Sequence, residues 1–144
     1  MSDSLLPVNS ISSENAYGLS DAFTYATYES FTHKLNVEDK TVAGYVDDLA
    51  AYKQAVIKIL NTERYEHVIY SDNYGIELKS LFGQHIAYVV PELQRRITEA
   101  IEQDDRTQSV SDFEFDTSKF GVVAVKFKAT SIYGETELKL TVEI

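Results

Sequence analysis

Three segments near the end of the chain alternate apolar and polar residues with period two, which sends every second side chain to one side of an extended strand. Phe113 and Phe115 alternate with Asp112, Glu114 and Asp116. Val123, Val125, Phe127 and Ala129 alternate with Ala124, Lys126 and Lys128. Leu138, Leu140, Val142 and Ile144 alternate with Glu137, Lys139, Thr141 and Glu143. Tyr133-Gly134 joins the last two as a hairpin. Each strand has one dry and one wet face, the pattern of an antiparallel sheet covered on one side.

Two stretches carry helical spacing instead. Leu49, Tyr52, Val56, Ile59 and Leu60 fall on one face, with Lys53 and Lys58 off the stripe. Asp47 or Asp48 caps this helix, accepting from free backbone N–H groups at its positive end. The helix is expected to end near Asn61 or Thr62. Leu93, Ile97, Ala100 and Ile101 form the second stripe, with Gln94, Arg95 and Glu99 facing out. Pro91 suits the first position of that helix, where its missing N–H costs nothing.

Shorter signals fill the gaps. His33, Leu35 and Val37 alternate with Thr32, Lys34 and Asn36, predicting a strand, a turn over Asn36–Lys40 and a returning strand from Thr41 to Val46. Tyr65 to Tyr70 reads as a short strand or extended segment. Gly75 supplies a positive φ after Asn73-Tyr74. Ile76 to Phe82 reads as a short amphipathic helical turn stopped by Gly83. The expected architecture is α+β: an antiparallel or mixed sheet of about four to six strands covered by two main helices. Residues 1–20 are Ser-rich and aperiodic and read as a flexible N-terminal arm. Residues 21–144 read as one domain, without internal repeats.

Composition narrows the function classes. The chain has 144 residues and is 44% apolar, enough for a single core. It has no Cys, so disulfides and thiolate metal sites are excluded. No apolar run approaches the roughly 20 residues of a membrane span. Met1-Ser-Asp-Ser-Leu-Leu-Pro7 has no basic region and no long apolar region, so no secretory signal is expected. The formal net charge is −10, with −6 in residues 1–50, 0 in 51–100 and −4 in 101–144. An acidic chain without a basic stripe is a poor nucleic-acid binder, because phosphate neutralisation supplies most of that affinity. Protein partners are expected, and neither nucleic acid nor membrane.

Candidate chemistry is sparse. His33, His67 and His85 lack metal-ligand spacing. There is no Gly-rich phosphate loop and no Gly-x-Ser-x-Gly elbow. No metal, cofactor or small molecule is expected. Glu63, Glu66, Asp72 and Glu77 cluster, and a glycosidase needs two carboxylates facing across a sugar cleft. Glu63 can instead pair with Arg64 or Arg106, or bond the following backbone. Tyr65, Tyr70 and Tyr74 offer rigid contact area for an interface or for the core. If the strand from Glu135 to Ile144 lies at an edge, its backbone can take a partner strand.

One long segment gives these signals a context. Gly44-Tyr-Val-Asp-Asp-Leu-Ala-Ala-Tyr-Lys-Gln-Ala-Val-Ile-Lys-Ile-Leu-Asn-Thr-Glu-Arg-Tyr65, followed by Tyr70-Ser-Asp-Asn-Tyr-Gly-Ile-Glu-Leu78, resembles the lysozyme-like baseplate wedge and sheath-initiator family of contractile phage tails and type VI secretion. The similarity spans roughly Thr41 to Ile144. The family's Thr-x-x-Gly-Glu-Arg-like segment and Tyr-Gly turn correspond here to Thr62, Glu63, Arg64 and Tyr74-Gly75. Its Glu-Pro-Arg element after the second helix is Asp104-Asp105-Arg106 here, keeping Arg106 and lacking the Pro. The resemblance implies a handshake-like fold and a structural, non-catalytic component of the virion's tail baseplate, assembled in the host cytoplasm. It implies a wedge interface at Thr62, Glu63, Arg64, Tyr74, Gly75, Asp105 and Arg106. It implies a sheath-binding edge strand at Leu138, Leu140, Val142 and Ile144. Its partners are other wedge proteins and the tail sheath. The rival readings are a cell-wall glycosidase using Glu63 and a tail-tube or terminator adaptor.

Overall fold

The computed structural model describes residues 30–144, so the expected arm over residues 1–20 lies outside the described residues. Among the described residues, five strands form two antiparallel sheets. The first sheet is a hairpin of β1 (Thr32–Asn36) and β2 (Thr41–Val46). The second has the order β3 (Thr107–Asp116), β4 (Val122–Ser131), β5 (Gly134–Glu143). Helix α1 (Asp48–Leu60) packs on β5, helix α2 (Ile86–Glu102) packs on β3, and the helices touch each other. The chain is α+β, with its strands divided between two sheets rather than gathered in one.

The core follows from the two periodicities. On β4, Val123, Val125, Phe127 and Ala129 are buried, and the residues between them are only partly covered. They meet Tyr52, Val56, Ile59 and Leu60 of α1 and Val89, Leu93, Ile97, Ala100 and Ile101 of α2 in one cluster. Burying a large aliphatic side chain contributes about 1.5–3 kcal/mol, so these stripes are what hold the helices on the sheet. Between Ser111 and Glu114 the β3–β4 register slips by one residue, and Asp112 takes φ +56°. This bulge keeps Phe113 on the core side, stacked on Phe127 with ring centroids 5.5 Å apart.

The caps explain the helix limits. Asp47 is the N-cap of α1, its carboxylate accepting the Asp48 N–H at 2.8 Å and a hydrogen bond from the Ser30 hydroxyl. Asn61 is the C-cap. The second helix departs from expectation, because it starts five residues before Pro91. His85 caps it, with Nδ1 accepting the Ala87 N–H at 3.2 Å, and buried Val89 extends the apolar stripe back a turn. Pro91 therefore stands inside the helix and forfeits the bond to the Ala87 carbonyl. Ala87 is exposed, so water can take that acceptor.

Two further expectations are corrected. Tyr65 to Tyr70 is a run of turns, not a strand. Its Val-Ile pair does not alternate, and a strand needs a neighbour to pair with. The helical content expected over residues 76–82 contracts to a 3-10 turn, Lys79–Leu81. Ile76 and Leu81 are nonetheless buried, and Gly83 ends the segment with φ +76°.

Candidate functional site: a pinned loop and an open strand edge

The loop between the helices is tied at its neck. The Ile76 N–H donates to the Thr62 carbonyl at 2.9 Å, and the Arg64 N–H donates to the Ile76 carbonyl at 3.1 Å. These bonds make a short parallel bridge at Glu63 and Ile76. Gly75 is required there. Its φ is +95°, and a Cβ would lie 2.5 Å from the Thr62 carbonyl oxygen. Only a residue without Cβ lets the two backbones approach this closely.

The side chains complete the tie. Both Glu63 carboxylate oxygens accept the Leu78 N–H, at 3.2 and 3.1 Å, and one also accepts the Lys79 N–H at 3.1 Å. Glu63 thus bonds the backbone that follows it and pairs with neither Arg64 nor Arg106. The Arg64 guanidinium donates to the Gly75 carbonyl at 3.3 and 3.2 Å and to Glu99 of α2 at 3.1 Å. Arg96 of α2 reaches the Glu77 carbonyl at 2.7 Å and the Ser80 hydroxyl at 2.5 Å. Thr62 donates its hydroxyl to the Lys58 carbonyl at 2.7 Å, closing the end of α1. Tyr74 stacks on Tyr70 with centroids 4.4 Å apart, and burial is the main cause pushing its hydroxyl pKa up.

Arg106 immediately precedes β3 and pairs with Asp104 rather than Asp105. Its guanidinium donates to both Asp104 oxygens, at 2.9 and 2.6 Å, and lies 5.7 Å from the centre of the Tyr52 ring. Burial pushes the Asp104 pKa up, but the bonds from Arg106 outweigh it and hold the carboxyl below its ordinary value. The Tyr52 hydroxyl, 2.8 Å from the Thr107 hydroxyl, is pushed up mainly by burial. Asp105 is exposed. Tyr74 brings the two halves together: a cleft of about 340 Å³ is lined by Tyr74, Asp104, Arg106, Ile59, Ser30 and Phe31, among others. The resemblance points to Thr62, Glu63, Arg64, Tyr74, Gly75, Asp105 and Arg106. Asp104, Glu99 and Arg96 were missed as partners, and the Asp-x-Arg spacing of residues 104–106 was the available signal.

The second candidate region is β5. It pairs only with β4 among the described residues, so it is an edge strand. The side chains of Leu138 and Val142 are buried, and those of Leu140 and Ile144 pack against the core. They face inward, leaving backbone as what the edge presents. Ser131 and Gly134 close the hairpin as a direct pair, and the Ile144 N–H bonds the Gly121 carbonyl at 2.8 Å. Alternation between these points aims the backbone groups of Glu135, Glu137, Lys139, Thr141 and Glu143 away from β4.

Two of the four clustered carboxylates are engaged in structural bonds. Glu63 is spent on backbone N–H groups, and Glu66 is bonded to Lys79 at 2.9 Å, which lowers the Glu66 pKa. Among the described residues, no group of three or more His, Cys, Asp or Glu is placed to hold a metal ion.

The model of a family described as contractile injection system sheath initiator matches residues 25–134. The chain is also 38% identical over 91 residues to the phage-like element PBSX protein XkdS of Bacillus subtilis (strain 168). That match covers 60% of this chain and 64% of the relative, so it spans less than two thirds of the relative's own length.

Proposed function

The chain belongs to the contractile injection system sheath initiator family, and from that premise we propose that it is a structural baseplate protein of a contractile phage or prophage tail. It acts by binding and carries out no catalysis. It joins other wedge proteins through the tied loop and the Asp104–Arg106 pair, and joins the sheath through the outer edge of β5. Its place is the tail baseplate of the virion, assembled in the host cytoplasm.

The observation that carries this reading is the free edge of β5. Five consecutive odd-numbered residues aim backbone N–H and C=O groups away from β4, with no strand paired to them among the described residues, a template onto which a partner strand can add. Side chains at the same positions are Glu135, Glu137, Lys139, Thr141 and Glu143, charged and polar residues that suppress indiscriminate pairing, with Glu135 and Glu137 paired to Lys128 and Lys126 of β4.

The test is Thr141→Pro. Proline removes one outward N–H and leaves the bonds to β4 intact. The expected result is a folded protein that still enters the baseplate but no longer starts sheath assembly, read by electron microscopy of tails and by sheath recovery with the tagged chain. Normal sheath assembly on the folded variant overturns the reading. Peptidoglycan hydrolysis abolished by Glu63→Gln would establish the glycosidase instead.

A further inference from the structure

The loop between Arg64 and Ile76 is tied at its neck and apolar at its tip. Val68 is 101% exposed, Ile69 86% and Tyr65 65%. Lone apolar residues on a surface are ordinary, but Val68 and Ile69 are adjacent, almost fully exposed and on the same loop as exposed Tyr65. The tip is also held in shape. Tyr70 stacks on Tyr74, His67 meets Tyr70 edge-on with centroids 6.1 Å apart, and Tyr65 is fixed at φ +66°, where bulky residues rarely sit. A tip ordered before binding loses little conformational entropy on docking.

Charge identifies what it docks on. Asp72 in the loop is exposed and has no ion pair among the described residues. A cleft of about 320 Å³ sets Ser71, Asn73 and Tyr74 of the loop against Gln103 and Asp104 at the end of α2. Flanking that end are Glu102 and Asp105, both exposed and without ion pairs among the described residues. The helix terminus adds its own negative potential. Between Tyr65 and Gly75 the loop carries Glu66 and Asp72 and no Lys or Arg, on a chain of net charge −10. A second copy, an anionic lipid surface and nucleic acid are all repelled by it.

We infer that Tyr65, Val68 and Ile69 form a contact finger that seats in an apolar socket bordered by Lys and Arg side chains on a neighbouring baseplate protein. This rests on the structural role proposed above and names the chemistry of one partner surface. The apolar tip supplies affinity, and the surrounding carboxylates steer and select the basic rim.

The test is competition between the wild-type chain and a Val68→Ser/Ile69→Ser variant for entry into assembling tails, read by quantitative mass spectrometry of purified particles. Both side chains are exposed, so the variant should melt like the wild type. The expected result is under-representation of the variant by about ten-fold or more. A photo-crosslinker at position 68 of the full chain should capture a peptide of another baseplate protein rich in Lys or Arg. Equal incorporation overturns the inference, as does a crosslink to a second copy, to lipid or to an acidic segment. Absence of the wild-type chain from tails is a different failure, because it overturns the structural role itself.

Discussion

Gly75→Ala strikes the neck of the loop, and its cost can be worked from the geometry. A Cβ at this position meets the Thr62 carbonyl oxygen at 2.5 Å and the Arg64 nitrogen at 3.2 Å, both backbone atoms that cannot turn aside. The left-handed φ alone costs an L-residue about 1–2 kcal/mol. Relief of the clash drives Thr62 away from Ile76 and breaks the two bridge hydrogen bonds, at about 1 kcal/mol each. The loss is about 3–4 kcal/mol, or roughly 10 °C in Tm for a chain of this size. The cost is global rather than local, because opening the neck would withdraw Ile76 and Leu81 from the core. Chemical denaturation of Gly75→Ala beside Gly83→Ala is the decisive assay. Gly83 has φ +76° but nothing within 4 Å of its would-be Cβ, so it pays the conformational cost only. Equal destabilisation of the two variants would refute the role assigned to the close approach.

The Asp104–Arg106 pair makes a second prediction. Arg106→Met should cost about 2–3 kcal/mol by leaving a half-buried carboxylate unpaired, checked by urea unfolding at neutral pH. The Asp104 pKa is depressed in the folded state, so its contribution is present above the ordinary carboxylate value of 3.8 and is lost as pH falls below it. Wild type should accordingly lose more stability than Arg106→Met between about pH 5 and pH 3, read from melting curves. Tyr52→Phe removes the hydrogen bond to Thr107 and should cost about 1 kcal/mol in the same denaturation assay. Thr107 still donates to the Ile101 carbonyl at 2.9 Å, so no buried donor is stranded.

Much of the fold was legible because its periods are clean. β4 and β5 alternate without interruption, and α1 presents a stripe behind an Asp cap, so their limits follow from local chemistry. The failures have physical causes. Pro91 looked like a helix start because one proline outweighed the Val89 stripe and an unconventional His85 cap. Tyr65 to Tyr70 looked like a strand because its aromatic and β-branched residues suit one, but strand formation depends on a pairing neighbour that a local sequence does not specify. The hairpin of β1 and β2 was legible as a hairpin, but not as a separate sheet. Gln54 of α1 bonds the β1 backbone at both ends of its amide, with Leu35 N–H at 2.8 Å and His33 C=O at 2.7 Å. Nothing in the period of a strand announces that a helix side chain will be its anchor. At the candidate site, Glu63, Arg64 and Gly75 were visible as types, whereas the choice of Asp104 over Asp105 needed the turn's geometry.

Parity along β5 separates folding from binding. Even-numbered residues from Thr136 to Ile144 direct their backbone to β4, and Leu138, Leu140, Val142 and Ile144 add their side chains to the core. Odd-numbered residues direct both backbone and side chain outward. Deleting the strand would therefore remove core as well as edge and could not distinguish the two. Proline scanning can. Leu140→Pro removes an inward ladder bond and a core side chain, and should cost about 3 kcal/mol or more. Thr141→Pro removes an N–H without a ladder partner among the described residues, at a position where proline is compatible with an edge strand, and should cost about 1 kcal/mol or less. Thermal melts of the pair measure the difference. If Thr141→Pro unfolds the protein as readily as Leu140→Pro, the assignment of inward and outward groups along β5 is wrong, and the edge proposed to receive the sheath is not the one this strand presents.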